Sequence, residues 1–215
     1  MKHKVVLKKF KNRAFTLSEV LITLTIIGVI AAITVPVVQA NYRRQAASGK
    51  ILKFYSTMNQ VVIKAKAAGN DWEDWADTAT TSGDSTSATT KSFVETYLLP
   101  YIVYYKYETS GSQTWVYLND GTYFYTYKGG CLDFIFDTNG SKKPNKEGRD
   151  RFRFLYCPYS NTAWIASGKI IPYQKATMTT REQAMTYCKS VSGMYCTALL
   201  NFDGWQFKDD YPLSI

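Results

Sequence analysis

The sequence predicts an α+β protein: a long N-terminal helix, its first half transmembrane and its second half amphipathic, packed on an antiparallel β-sheet head. Three observations carry that expectation. Residues 20–42 run for 23 positions without a charge. Ile51, Leu52, Tyr55, Met58, Val62 and Ala65 then recur at helical spacing. From Tyr101 onward, aromatic and β-branched runs are broken by turn residues.

The 215 residues are 46% apolar and 20% charged, which excludes a disordered or collagen-like chain. The net charge of +9 suggests a polyanion binder until it is located. Lys2, Lys4, Lys8, Lys9, Lys11 and Arg13 supply six positive charges in the first fourteen residues, with no acid among them, and the remainder carries only +3. The basic excess therefore reads as a targeting device, and no nucleic-acid partner is expected. The one histidine, His3, lies in that same stretch. No imidazole remains downstream for a Ser-His-Asp or Cys-His nucleophile or for a His-ligated metal.

At the helical rise, residues 20–42 span roughly 35 Å, enough to cross a bilayer. The six basic residues before the run outweigh Arg43 and Arg44 after it, so the N-terminus is expected in the cytoplasm and the rest exported. A cleavable secretory signal would have a shorter apolar core followed by a small-x-small site, and none follows here. Glu19 lies at the head of the apolar run, where a carboxylate marks a function with a partner. Gly28 and Pro36 interrupt the helix where backbone hydrogen bonds or stiffness are lost.

Ala14-Phe15-Thr16-Leu17-Ser18-Glu19-Val20-Leu21, followed by Ile26-Ile27-Gly28-Val29-Ile30-Ala31-Ala32-Ile33-Thr34-Val35-Pro36, resembles the N-terminal segment of type IV prepilins and type II secretion pseudopilins. The resemblance implies that a prepilin peptidase removes residues 1–14 by cutting between Ala14 and Phe15, and that Phe15 is then N-methylated. It places Glu19 on the family's assembly glutamate, and Gly28 and Pro36 on its helix-loosening positions. Ala14 stands where the family usually has glycine, and Ser18 where an apolar residue is common. The resemblance also implies one long helix, here from about Phe15 to Ala68, and a pilin-like head.

Gly69-Asn70 reads as the helix stop. Residues 71–92, with Trp72, Trp75, four acids between Asp71 and Asp77 and a Thr/Ser/Ala/Gly tract, read as a solvated connector, or as a contact loop with exposed tryptophans. Residues 92–99 read as a short helix with Ser92 as N-cap, Glu95 at the third position and Pro100 as its stop. Residues 115–118 and 122–127 flank Asn119-Asp120-Gly121, a hairpin signal, and residues 131–136 and 151–157 read as two further strands. The tyrosines, 17 in all, suit a half-exposed sheet; sugar binding is the weaker reading of them. Residues 180–189 read as a helix opened by Thr179 or Thr180. The tail from Tyr195 reads as a strand running into Asp203-Gly204-Trp205, an ending that also resembles prepilin-like proteins.

The linker 137–150 gathers turn residues and oxygen ligands. Asp137, Asn139 and Asp150, with carbonyls, could hold one structural calcium ion, and similar loops in pilin-like proteins imply as much; the alternative is a plain Asx-turn loop crowded by Lys142, Lys143 and Lys146. Cys131, Cys157, Cys188 and Cys196 all lie on the exported side, where disulfides persist, and four cysteines allow three connectivities. The expected one pairs Cys188 with Cys196 across a helix-to-strand turn and Cys131 with Cys157 between strands.

The domain reading is a basic leader at 1–14, a transmembrane assembly half-helix at 15–40, and an exported pilin-like head at 41–215. The expected function is that of a structural subunit of a type IV pilus or type II secretion pseudopilus, with no catalytic residues. Its partners would be the prepilin peptidase, other pilin or pseudopilin subunits, the inner-membrane assembly machinery and the membrane. Its place would be the bacterial inner membrane, then a periplasmic or cell-surface filament. The alternative is a signal-anchored binding or adhesin module that never polymerises.

Overall fold

The computed structural model describes residues 15–72, 87–128, 131–157, 168–173, 177–190 and 193–215. The leader, with Ala14, lies outside them, as do residues 73–86 with Trp75. Contacts divide the chain after Asn41 into two units. Helix α1, Leu17–Ala67, runs through both. In the first unit it is apolar on every side and exposed throughout except at Ala31. As the expected single long helix requires, α1 continues past Gly28 and past Pro36, which lies inside it.

In the second unit α1 buries a stripe of Ala47, Ile51, Phe54, Met58, Val61, Val62 and Ala65. The helix ends where the sequence places its stop. Gly69 takes a φ of +80°, Asn70 N–H donates to the Ala65 carbonyl at 2.8 Å, and Gly69 N–H donates to Lys66. That is a Schellman motif, which satisfies carbonyls the helix would leave bare.

The stripe packs on a six-stranded antiparallel sheet whose spatial order is its chain order. The strands are β1 Lys106–Ser110, β2 Gln113–Tyr117, β3 Tyr123–Lys128, β4 Leu132–Asp137, β5 Arg151–Tyr156 and β6 Ile170–Pro172. Tyr117 pairs with Tyr123 across the predicted turn, where Gly121 has φ +81° and the Asp120 carboxylate accepts from Thr122. With period-two alternation, Val116, Phe124, Phe134, Phe136, Phe152 and Phe154 face the core. Phe54 stacks on Phe136 at 4.3 Å and tilts against Phe124 and Phe154. Strands β1 and β6 were not expected from the sequence. β6 is three residues long, and its Ile170 is held by the Asn59 side chain, which donates to the Ile170 carbonyl and accepts from its N–H.

Three expectations need correction. Trp72 is not part of a solvated loop: it is fully buried, edge-on to Phe93 and Tyr156, and its indole N–H donates to the Tyr97 carbonyl at 3.1 Å. Ser92 is not an N-cap. Helix α2 already runs from Ser87 to Phe93, followed by a π-turn Val94–Leu98 and a 3₁₀ turn Leu99–Tyr101 that contains Pro100 near its start. Buried Thr90 anchors α2 by donating to the Ser112 carbonyl and accepting from Thr114, and this packing overrides the loop propensity of the Ser/Thr tract. The expected C-terminal strand is helix α4, Cys196–Phe202. Its apolar core Ala198-Leu199-Leu200 is too short for periodicity to separate a buried helix from a strand.

Helix α3, Arg181–Ser190, starts as predicted: Gln183 Oε1 accepts from Thr179 and Thr180 N–H, while Thr180 Oγ accepts from Gln183 N–H. Disulfides join Cys131 to Cys157 and Cys188 to Cys196, with Cα separations of 4.7 and 4.5 Å. The second spans a helix-to-helix turn. Arg181 then ties the tail down by donating to both Asp203 and Asp210.

Candidate functional site

The chemistry-bearing residues of the first unit lie at its start. Thr16 caps α1: its N–H and hydroxyl both donate to Glu19 Oε2 at 2.8 Å, and its hydroxyl oxygen accepts from Glu19 N–H at 3.2 Å. This is a capping box, and the sequence carries its signal as Thr16-x-x-Glu19. The box orients the carboxylate toward the helix start, where Phe15 is 84% exposed.

Further along the unit, three threonines hide their hydroxyls. The hydroxyls of Thr23, Thr25 and Thr34 donate to the carbonyls of Val20, Leu21 and Ile30 at 2.8–2.9 Å, so no threonine presents a bare hydroxyl to an apolar surround. A Cβ added at Gly28 would meet no atom within 4 Å, so nothing in this chain's own packing demands glycine there. α1 is long and apolar enough to cross a membrane.

In the head, the structure brings Asp137, Asn139 and Asp150 together, and hydrogen-bond donors surround them. Asp150 accepts from Lys146 N–H at 2.6 Å, Asn145 N–H at 2.7 Å and the Asn139 side-chain amide at 3.1 Å. Asp137 accepts from Asn139 N–H, the Tyr123 hydroxyl and Arg151 Nε at 3.0–3.1 Å. With its amide nitrogen turned toward the carboxylate, Asn145 adds a further donor to Asp137 at 3.1 Å. A calcium ion needs those lone pairs, and six or more oxygens in all. The donor set does not fit the ion: the geometry is that of the Asx-turn loop, closed by N–H groups. Among the described residues no three acids, cysteines or histidines converge.

Electrostatics follow from the same burial. Burial pushes the Asp137 carboxyl up to about 6 against the opposing pull of its hydrogen bonds, and pushes the Tyr123 hydroxyl up to about 12. Burial also raises Glu147, which pairs with Arg153 at 2.9 Å. The loop is clamped from the far side, where Tyr211 donates to the Gly148 carbonyl at 2.6 Å. Gly148 and Gly193 have positive φ and meet too closely for side chains: a Cβ on Gly148 would lie 2.7 Å from Leu213 and 2.9 Å from Gly193.

Comparison with known families gives two matches. Residues 37–215 match the model of a family of unknown function (DUF6613), and residues 9–35 match the prokaryotic N-terminal methylation motif. No curated protein and no solved structure matches the chain.

Proposed function

We propose that this chain, which belongs to the DUF6613 family and carries a prokaryotic N-terminal methylation motif, is a structural subunit of a type IV pilus or type II secretion pseudopilus. The observation that carries the reading is the first unit. It has a helix apolar on all sides, with its threonine hydroxyls folded back and a single carboxylate held at its capped start. Such a surface is stable only in lipid or against other apolar helices.

Prepilin peptidase cuts between Ala14 and Phe15, and Phe15 is N-methylated. The basic leader keeps the N-terminus cytoplasmic, and the head is exported. Cleavage leaves a positive amine on Phe15 one turn from Glu19. Either charge alone is costly in hydrocarbon, so the Phe15 amine of one subunit pairs with Glu19 of its neighbour, and the pair sets the axial stagger between subunits. Gly28 and Pro36 supply looseness when α1 leaves the bilayer for the filament core, where other subunits replace lipid.

N-terminal sequencing and intact-mass analysis of the chain from a host with an active prepilin peptidase test this. The expected first residue is N-methylated Phe15. A chain that still carries Met1 would be a plain membrane anchor, and the filament reading would fail.

A further inference from the structure

A groove of about 500 Å3 lies in the head between α1, the 3₁₀ turn and the β2–β3 hairpin. Its floor is apolar, made by Phe54, Phe136, Ile102 and Leu118, and Val103 stands 75% exposed at its rim. Three cations edge it along α1. Lys50 donates to the Thr138 carbonyl at 2.7 Å. Lys53 pairs with Asp120 at 2.7 Å, with its side chain 66% exposed. Lys64 is exposed and has no ion pair among the described residues.

The spacing of these charges narrows the occupant. Lys53 and Lys64 are separated by ~16 Å of helix rise. A small anion reaches one of them, whereas an extended chain carrying two acids, at ~3.4 Å per residue, reaches both in about five residues. An apolar residue between the acids would lie over the Phe54 floor. This protein contains such a run: Glu73, Asp74 and Asp77 flank Trp75.

We propose that the groove receives residues 73–77 of a second copy of the chain, as a head-to-head contact within the filament. Lys53 and Lys64 meet the acids, and Trp75 covers the apolar floor. The contact rests on the subunit reading above, and it gives the head its own determinant of assembly, separate from the Phe15–Glu19 pair.

The test places a photo-crosslinking amino acid at Val103 of the full chain, in cells that assemble it, and scores filaments and adducts in the same samples. The expected product is a covalent dimer whose cross-link maps to residues 73–77. Lys64→Glu alone, which breaks no ion pair among the described residues, should lower that adduct about twofold, and Lys53→Glu with Lys64→Glu about fivefold or more. Mixing the doubly reversed chain with a Glu73→Lys, Asp77→Lys chain should restore it. Filaments whose cross-links fall within one chain, on another polypeptide or elsewhere on the second copy overturn the contact and leave the subunit reading standing. A dimer adduct insensitive to both charge reversals does the same. A processed, exported chain that forms no filament overturns both.

Discussion

Two stretches of one helix obey opposite rules. Between Leu17 and Val38 the large apolar side chains are exposed, and the threonines and Glu19 turn their polar atoms back on the helix as threonine-to-carbonyl bonds and the Thr16–Glu19 cap. Between Ala47 and Ala65 the apolar residues form one stripe, fully buried at Ile51 and Met58, and polar side chains bond to the rest of the head: Lys50 to the Thr138 carbonyl, Lys53 to Asp120, Asn59 to Ile170. The backbone is the same α-helix in both. What differs is the solvent each was built for. A helix apolar all round hides its polar atoms and exposes its hydrocarbon, and an amphipathic one does the reverse.

The contrast can be broken at several points. The largest effect is expected at Glu19. Glu19→Ala should leave membrane insertion intact and lower incorporation into filaments by more than about tenfold, since it leaves the Phe15 amine of the proposed pair without its counter-charge in an apolar surround. Sheared-filament fractions from cells with no wild-type copy measure this; wild-type levels there would remove the charge pair from the account.

A matched pair of truncations sharpens the comparison. Phe54→Ala empties a site walled by Phe124, Phe136 and Phe154 and should destabilise the head by about 3–5 kcal/mol, whereas Ile27→Ala should change it by less than ~0.5 kcal/mol. Denaturation of the full chain in detergent, followed by tryptophan fluorescence, gives both numbers. Equal losses would mean that the two stretches do not differ as described.

Asp137 supplies a pH dependence confined to the head. Its carboxyl is raised to about 6 in the folded chain from an ordinary 3.8, so between those values the folded state holds more protons than the unfolded. Its contribution to stability is therefore greatest below pH ~4 and falls as pH rises to about 6. Asp137→Asn, which keeps an oxygen to accept from Arg151 but does not ionise, should flatten that part of the Tm-versus-pH curve. An unchanged slope would show that the group does not titrate in this window.

The smallest effect is expected from calcium. Because the oxygens of Asp137 and Asp150 already accept from N–H and O–H groups, millimolar calcium should leave the Tm of the full chain unchanged. A rise in Tm that disappears in Asp150→Ala would restore the metal reading of the loop.

Features written in neighbouring residues were legible without coordinates. The long helix, its Gly69 stop, the Asn119-Asp120-Gly121 hairpin and the α3 cap each depend on a short pattern whose physics is local. The first unit belongs with them, because an apolar helix long enough to cross a membrane is read from length and composition alone. Tertiary structure decided the rest. The run Ala198-Leu199-Leu200 became helix because burial rewards either form, and Cys188 held Cys196 at the turn. Trp72 entered the core because Phe93, Phe134 and Tyr156 met there from distant segments. Asp137, Asn139 and Asp150 have the same side chains under either reading of their loop. Whether those oxygens face a cation or N–H groups depends on where the backbone of Asn145 and Lys146 turns, and only the folded loop determines that.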